Sequence, residues 1–282
     1  MVSEHPSYLG VFRTFLRNSL VREMTFRSNF IIQCISSVSW TLMNVGFYLL
    51  IFSVAPGIKD WDKYEFFVFL ATTMFVNSIV QTFFMPNAQE FSELIRRGGL
   101  DFALLKPIDT QFLISLQRTE WSSMSNFLAG AILLGVSLYH LIGRETDPLQ
   151  VTPLMVILYV FYILCGVAIL YSLMISLSAT SIWLGRNQTL YNFWFYITNF
   201  SRYPMEIYQG TYGTPLRLLF TFVVPVLVVV NVPARILAKP FSPETGIDWA
   251  LAGFAVVATI GSLVASRWIF RRALLSYRSA SS

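Results

Sequence analysis

Four stretches of the chain, 28–58, 66–89, 121–143 and 148–185, contain no charged side chain. A helix rises ~1.5 Å per residue, so about 20 residues cross a hydrocarbon core ~30 Å thick, and each stretch exceeds that length. A water-facing helix would interrupt such runs with polar residues at every turn. The pattern therefore predicts membrane spans over 29–54, 64–86, 113–142 and 151–184, with a last span over 247–270 that closes on Arg267, Arg271 and Arg272. The fourth run is longer than a crossing needs, which predicts tilt or projection beyond the bilayer.

The remaining segments follow other rules. Over 9–27, Leu9, Phe12, Leu16, Leu20 and Met24 recur at helical steps, while Arg13, Arg17 and Arg27 fall off that stripe. This predicts an amphipathic helix lying in the membrane interface. The polar segment 87–112 holds a short helix with Glu90, Glu93, Arg96 and Arg97, a Gly98-Gly99 break and a Lys106-Pro107 turn. Between 187 and 240 the chain reads two ways. Either 187–205 is the fifth span and 206–240 a re-entrant segment, or 187–212 stays at the interface and 214–236 is the fifth span. Pro225 and Pro233 within a short apolar run favour the first, because a broken helix must be buried in protein.

Charge orients this arrangement. With the N-terminus cytoplasmic, thirteen Lys and Arg lie inside (Arg13, Arg17, Arg22, Arg27, Arg96, Arg97, Lys106, Arg118, Arg186, Arg267, Arg271, Arg272 and Arg278) against Lys59, Lys63 and Arg144 outside. Positive residues stay on the cytoplasmic side, so both termini are expected there and the number of spans is even, with six the expected count. Across the 282 residues, 55% are hydrophobic and 12% charged, a balance that excludes a disordered or ordinary soluble class. The net charge of +5 arises beside spans, so it reads as topology and lipid contact, with no nucleic-acid partner. The first 28 residues do not read as a signal peptide.

Chemistry-bearing motifs are missing from the sequence. There is no GxxxxGK[ST], HExxH or GxSxG, and the first four spans hold no ionisable relay, which argues against a secondary transporter. Cys34 and Cys165 sit in apolar runs, and His5 and His140 have no ligand-spaced neighbours, so no metal site is expected. What remains is a conduit or a non-transporting scaffold without its own energy source and without a catalytic residue.

Four segments carry a resemblance: IRRGGLDFALLKPID, FSRYPMEIY, FVVPVLVVVNVPARIL and RRALLSYRSASS, in that order. Together they resemble the permease subunits of ABC-2-type ABC transporters over essentially the whole chain. The resemblance implies an all-α fold of six spans with an N-terminal interface helix, a coupling helix between the second and third spans, and re-entrant helices before the last. It implies two separate ABC ATPase subunits holding ATP and Mg, a second permease copy or paralogue, and export of lipid-like, glycan or other amphipathic cargo across a bacterial inner or plasma membrane. Glu90, Glu93, Arg96, Arg97, Asp101 and Lys106 would then serve ATPase coupling. Asn77, Ser78 and Gln81 on the second span, with Asn192, Thr198 and Asn199 on the fifth, would offer polar contacts along the pathway. Arg202 and Tyr203 would form a gate at the outer interface. The same residues also suit plain roles: solvated loop charges, interhelical hydrogen bonds and interfacial anchors.

Overall fold

The computed structural model describes residues 7–145, 148–184, 188–239 and 246–277. Arg186, Arg278, His5, Asn187 at the start of the expected fifth span and Pro240 at the end of the expected re-entrant segment lie outside them. Every regular element among the described residues is helical: α1 (Tyr8–Thr25), α2 (Arg27–Val54), α3 (Lys63–Phe83), α4 (Met85–Arg96), α5 (Gly99–Leu104), α6 (Thr110–Leu116), α7 (Met124–Ile142), α8 (Pro153–Ala179), α9 (Ser181–Leu184), α10 (Gln188–Asn199), α11 (Gly210–Leu218), α12 (Val226–Ala238) and α13 (Gly246–Ser276). Five stretches are long and apolar enough to cross a membrane: Arg27–Val54, Lys63–Arg96, Trp121–Ile142, Pro153–Leu184 and Trp249–Ser276. The pair Gly210–Val223 and Val226–Ala238, bent by 88°, makes a sixth if it is one broken span.

Helix breaks and joints fall inside three of the expected segments. The helix carrying the second span does not stop at Pro86. Proline cannot donate to the carbonyl four residues back, which leaves Thr82 O without a helical partner. The backbone N–H of Glu120 supplies one at 2.9 Å, and α4 continues α3 with only Phe84 between them. The segment 113–142 holds two helices, and its long apolar stretch starts at Trp121, where the charge-free run begins. The chain breaks at 117–120 after α6 and restarts through a 3₁₀ turn, Trp121–Ser123, that leads into α7. Over 187–205, the only α-helix is α10, whose 12 residues reach just ~18 Å. A 3₁₀ turn, Phe200–Arg202, extends it before the chain breaks at Tyr203.

Helix α1 keeps part of its apolar stripe at the surface and packs through the rest of it and an adjoining polar edge. Leu9, Leu20 and Met24 of the expected stripe are exposed, whereas Phe12, Phe15 and Leu16 are half-buried and Ser19 is buried. Polar contacts set this choice: Ser19 Oγ accepts from Thr119 N (3.0 Å), and Glu23 Oε1 accepts from Trp121 N (2.7 Å).

Two apolar cores hold the helices. The larger one packs α3, α8 and α12 with part of α13, around Phe66, Val76, Leu170, Leu227 and Ile236. The smaller one, around Phe91, Leu100, Leu113, Ile114, Phe270 and Ala273, fixes α4, α5 and α6 to the end of α13. Every residue of α12 except Arg235 is buried. Its Pro233 leaves the carbonyl of Val229 without a helical donor. That oxygen faces Gly166 of α8, where a Cβ would lie 2.7 Å from it. Only glycine admits this approach.

The ends of the bundle differ in chemistry. At one end Arg144 pairs with Asp62 (3.0 Å) and Glu65 (3.4 Å), while Lys239 bonds Asp60 O and lies 4.8 Å above the Trp61 ring. Buried Glu206 there accepts from Trp61 Nε1 at 2.9 Å and pairs with Arg235. Both flanks of the bent pair, Glu206 and Lys239, therefore touch the Asp60–Trp61 turn. The other end carries α1 and the α4–α6 cluster with their arginines.

Candidate functional site

Helix α3 lines two adjoining cavities. One, of about 160 Å³, lies between α2 and α3 and is closed by Asn126 of α7 and by Arg202 and Tyr203. The other, of about 230 Å³, runs from Arg202 past Thr198 and Trp194 to Glu120. Asn77, Gln81 and Arg202 line both. A step of four residues on a helix returns to the same face, which is why Asn77 and Gln81 act together.

The fifth-span candidates divide. Trp194, Thr198 and Arg202 follow one another at four-residue steps and point into the second cavity. Asn192 is exposed and Asn199 half-buried, and neither lines either cavity. Seven residues apart, they share a face, but it lies roughly a third of a turn from the cavity face at 3.6 residues per turn. Arg202 and Tyr203 are both exposed and stand near Tyr48 of α2. Their cavity touches α3 from Leu70 to Gln81, roughly 10–27 Å along the helix from Lys63 at ~1.5 Å per residue. The Arg202 guanidinium stands 5.5 Å from the Phe195 ring.

The polar residues here are unevenly occupied. Thr41 Oγ1 donates to Asn126 Oδ1 (3.0 Å), and Asn126 Nδ2 donates to Ser37 Oγ (3.3 Å), which joins α2 to α7. Ser78 Oγ is buried without a partner among the described residues. At the far end of the second cavity, burial pushes the Glu120 carboxyl above its ordinary value, with nearby Arg22 opposing. Burial and the Glu120 charge raise Glu23 likewise, against the hydrogen bond from Trp121 N.

The second group of candidates surrounds α4 and α5. Glu93 accepts from Arg96 Nε (2.8 Å) and Nη2 (2.6 Å) and from Arg97 Nε (2.6 Å). These are i,i+3 and i,i+4 contacts, so the alternating charges first satisfy one another. The arginines still expose 63% and 75% of their side chains, which leaves them open to a partner. Glu90 pairs with Arg118, whose backbone is held by Asn87 through two hydrogen bonds of 2.7 and 2.8 Å. Between α4 and α6 these residues border a cleft of about 410 Å³. Gly98 turns with φ of 69°, a conformation that favours glycine, and a Cβ on Gly99 would press on the Leu94 methyl at 2.6 Å, so the pair lets α5 fold back closely on α4. On α5, Phe102 (72%) and Leu105 (82%) are exposed beside exposed Lys106. Asp101 faces Tyr277.

Sequence reasoning missed Arg267 and Gln111. Asp109 caps α6 by accepting from Phe112 N (2.9 Å) and pairs with Arg267 of α13. Arg267 Nη1 also donates to Gln111 Oε1 (2.9 Å), and Gln111 Nε2 donates to Tyr171 of α8 (2.9 Å). Burial raises the Asp109 carboxyl, but the hydrogen bonds from Arg267 and Phe112 outweigh it and leave it below its ordinary value. The LLKPID segment and the last span are thereby joined by charge. A buried-polar pattern around residue 109 could have flagged one partner but not which arginine it meets.

Among the described residues no group of three His, Cys, Asp or Glu could hold a metal. No curated protein and no solved structure matches the chain. A family model described as ABC-2 family transporter protein matches residues 38–281, from the middle of α2 to the end of the chain. The chain belongs to the ABC-2 transporter family: it is an integral membrane protein, the permease component that works with ABC ATPase subunits rather than the ATPase itself.

Proposed function

We propose that the chain is the membrane half of an ATP-driven exporter, moving a lipid-like, glycan or other amphipathic substrate by alternating access. Two ATPase subunits would bind ATP and Mg and hydrolyse the nucleotide. A second permease, a copy or a paralogue, would complete the pathway along α3 and α10. The observation that carries this reading is the 34-residue helical stretch Lys63–Arg96. It bears the cavity residues Asn77 and Gln81 at its middle and the exposed Arg96 and Arg97 at its tip, with no loop between them.

In this reading the arginine-rich end is cytoplasmic, in a bacterial inner or plasma membrane, and carries both termini. The chain would cross a sixth time through α10 and the turns after it. The bent α11–α12 pair would then be re-entrant, which the attachment of both its flanks to the Asp60–Trp61 turn supports. Glu90, Glu93, Arg96, Arg97, Asp101 and Lys106 would meet the ATPase, joined by the exposed apolar Phe102 and Leu105.

The test is reconstitution. The purified chain alone should hydrolyse no ATP, and hydrolysis should appear when the ATPase is added. Reversing Arg96 and Arg97 together to Glu should leave the permease folded but lower ATPase retention on an affinity column, more at low salt than at high salt, since exposed charges are screened. Full retention of the ATPase at low salt would remove α4 from the docking face.

A further inference from the structure

The cavity between α2 and α3 has the makings of a head-group site. Arg202 lines it from the 3₁₀ turn after α10, and a cation among membrane helices marks a binding site or pathway. No carboxylate pairs with it among the described residues; it stands by the Phe195 ring and near Tyr48. Three polar groups on one stretch of α3 stand unengaged around it. The amides of Asn77 and Gln81 make no hydrogen bond among the described residues, and the Ser78 hydroxyl is 1% exposed with no partner. The rest of the lining mixes apolar Trp40, Val45, Leu70 and Met74 with Thr41, Asn44, Tyr48 and Thr73.

We infer that this cavity binds an amphiphile through an anionic head group, a phosphate or carboxylate seated on Arg202 and hydrogen-bonded by Asn77, Ser78 and Gln81. Guanidinium suits such a group because its N–H fork matches two acceptor oxygens. The amides add donors without charge, and Trp40, Val45, Leu70 and Met74 give apolar contact to the start of the hydrocarbon chain. A cationic head group is disfavoured at this point by Arg202. It would be drawn instead to Glu120, at the other end of the adjoining cavity. The inference deepens the proposed export function and rests on it for the meaning of the site, but binding is measured apart from transport.

The experiment uses the purified full chain in detergent. It is titrated with a phosphatidic acid, a fatty acid and a phosphatidylcholine of matched chains, and with inorganic phosphate, with bound species counted by native mass spectrometry. Either anionic amphiphile should bind about tenfold or more tighter than phosphatidylcholine, as charge-assisted hydrogen bonds allow. Arg202→Gln should abolish the preference and Arg202→Lys should retain part of it. The Asn77→Ala, Gln81→Ala pair, which keeps Arg202, should weaken both anionic amphiphiles by a smaller factor. Equal binding of all three lipids by wild type, or a preference that survives Arg202→Gln, overturns the inference. Inorganic phosphate binding as tightly as phosphatidic acid overturns the amphiphile and leaves a free-anion site. ATPase retention on the same preparations separates the two readings. Retained ATPase without lipid preference sinks only the head-group site, and lost ATPase with lipid preference sinks only the exporter.

Discussion

Helix α2 carries 28 residues of which none is buried, whereas α12 carries 13 and buries all but Arg235. Both are strongly apolar, so hydropathy does not separate them. The difference lies in the backbone. Helix α2 is unbroken and satisfies its own peptide groups, so its side chains can face lipid at no polar penalty. The α12 region contains Pro225, Pro233 and Asn231, and each demands something from its surroundings. Asn231 answers one demand by accepting from Met205 N (2.8 Å) and donating to Leu227 O (2.8 Å). An apolar run broken by prolines and carrying an amide belongs inside protein, whatever its mean hydropathy.

The comparison can be broken most sharply at Glu206, which holds the end of α12. Glu206→Ala removes a buried carboxylate shared by Trp61 and Arg235 and should destabilise the fold by about 3 kcal/mol, read as a lower thermal midpoint in detergent and faster proteolysis around α11. A midpoint within a degree of wild type would mean that α12 is held by packing alone. Next in size is Gly166→Val, which drives a side chain into the Val229 carbonyl and should cost about 1–3 kcal/mol. If α8 and α12 tolerate it, their close approach is not required.

A third, smaller effect tests the arginine-rich end. Asp109→Asn weakens the pair with Arg267, which is partly exposed, and should cost about 1 kcal/mol. The Asp109 carboxyl titrates below its unfolded value of 3.8, so its contribution is complete above that pH and is lost as pH falls through the lowered folded value. Wild type and variant should therefore converge in stability in acid, and a gap that persists at pH 2 would assign the loss to something other than this charge. The smallest effect belongs to α2. Leu50 is 70% exposed, and Leu50→Ala should change stability by less than about 0.5 kcal/mol. A larger loss from a preparation of the isolated chain would show that α2 is packed by a second copy.

The span pattern is legible in the sequence because a charge-free run longer than a bilayer is thick is rarely tolerated anywhere but in lipid, and the chain has four of them. Helix ends are less legible. Nothing near Pro86 announces that Glu120 will occupy the carbonyl it exposes, since the donor lies 34 residues beyond that proline. The inward face of α1 is hidden for a related reason. Apolarity alone assigns the stripe through Leu9 and Leu20, but Ser19 and Glu23 are held by backbone groups about a hundred residues away. On α10 the asparagines stand out as polar residues in an aromatic run. Of the candidates there the cavity takes Thr198 and Arg202, with Trp194, and leaves the asparagines out, because the rotation of a short helix is set by its neighbours and not by its own composition. Glu93, Arg96 and Arg97 are readable as a charge cluster, but their mutual pairing shows how much of that charge is already engaged.

The hydrogen bond from Glu120 to Thr82 has a mechanical consequence. A proline normally makes a helix pliable at the turn before it, because one rung of the ladder is gone. Here the missing rung is replaced from outside, while Phe84 N still reaches Val80 O (3.0 Å) and Ala88 N reaches Phe84 O (3.1 Å). The joint between α3 and α4 is splinted by the strap leading into α7. A thrust on the tip of α4 would therefore arrive at Asn77 as displacement, not be absorbed as bending, and α7 would be pulled along with it. Stiffness at this elbow is borrowed from a neighbouring segment, so whatever lifts the 117–120 strap would also slacken the lever.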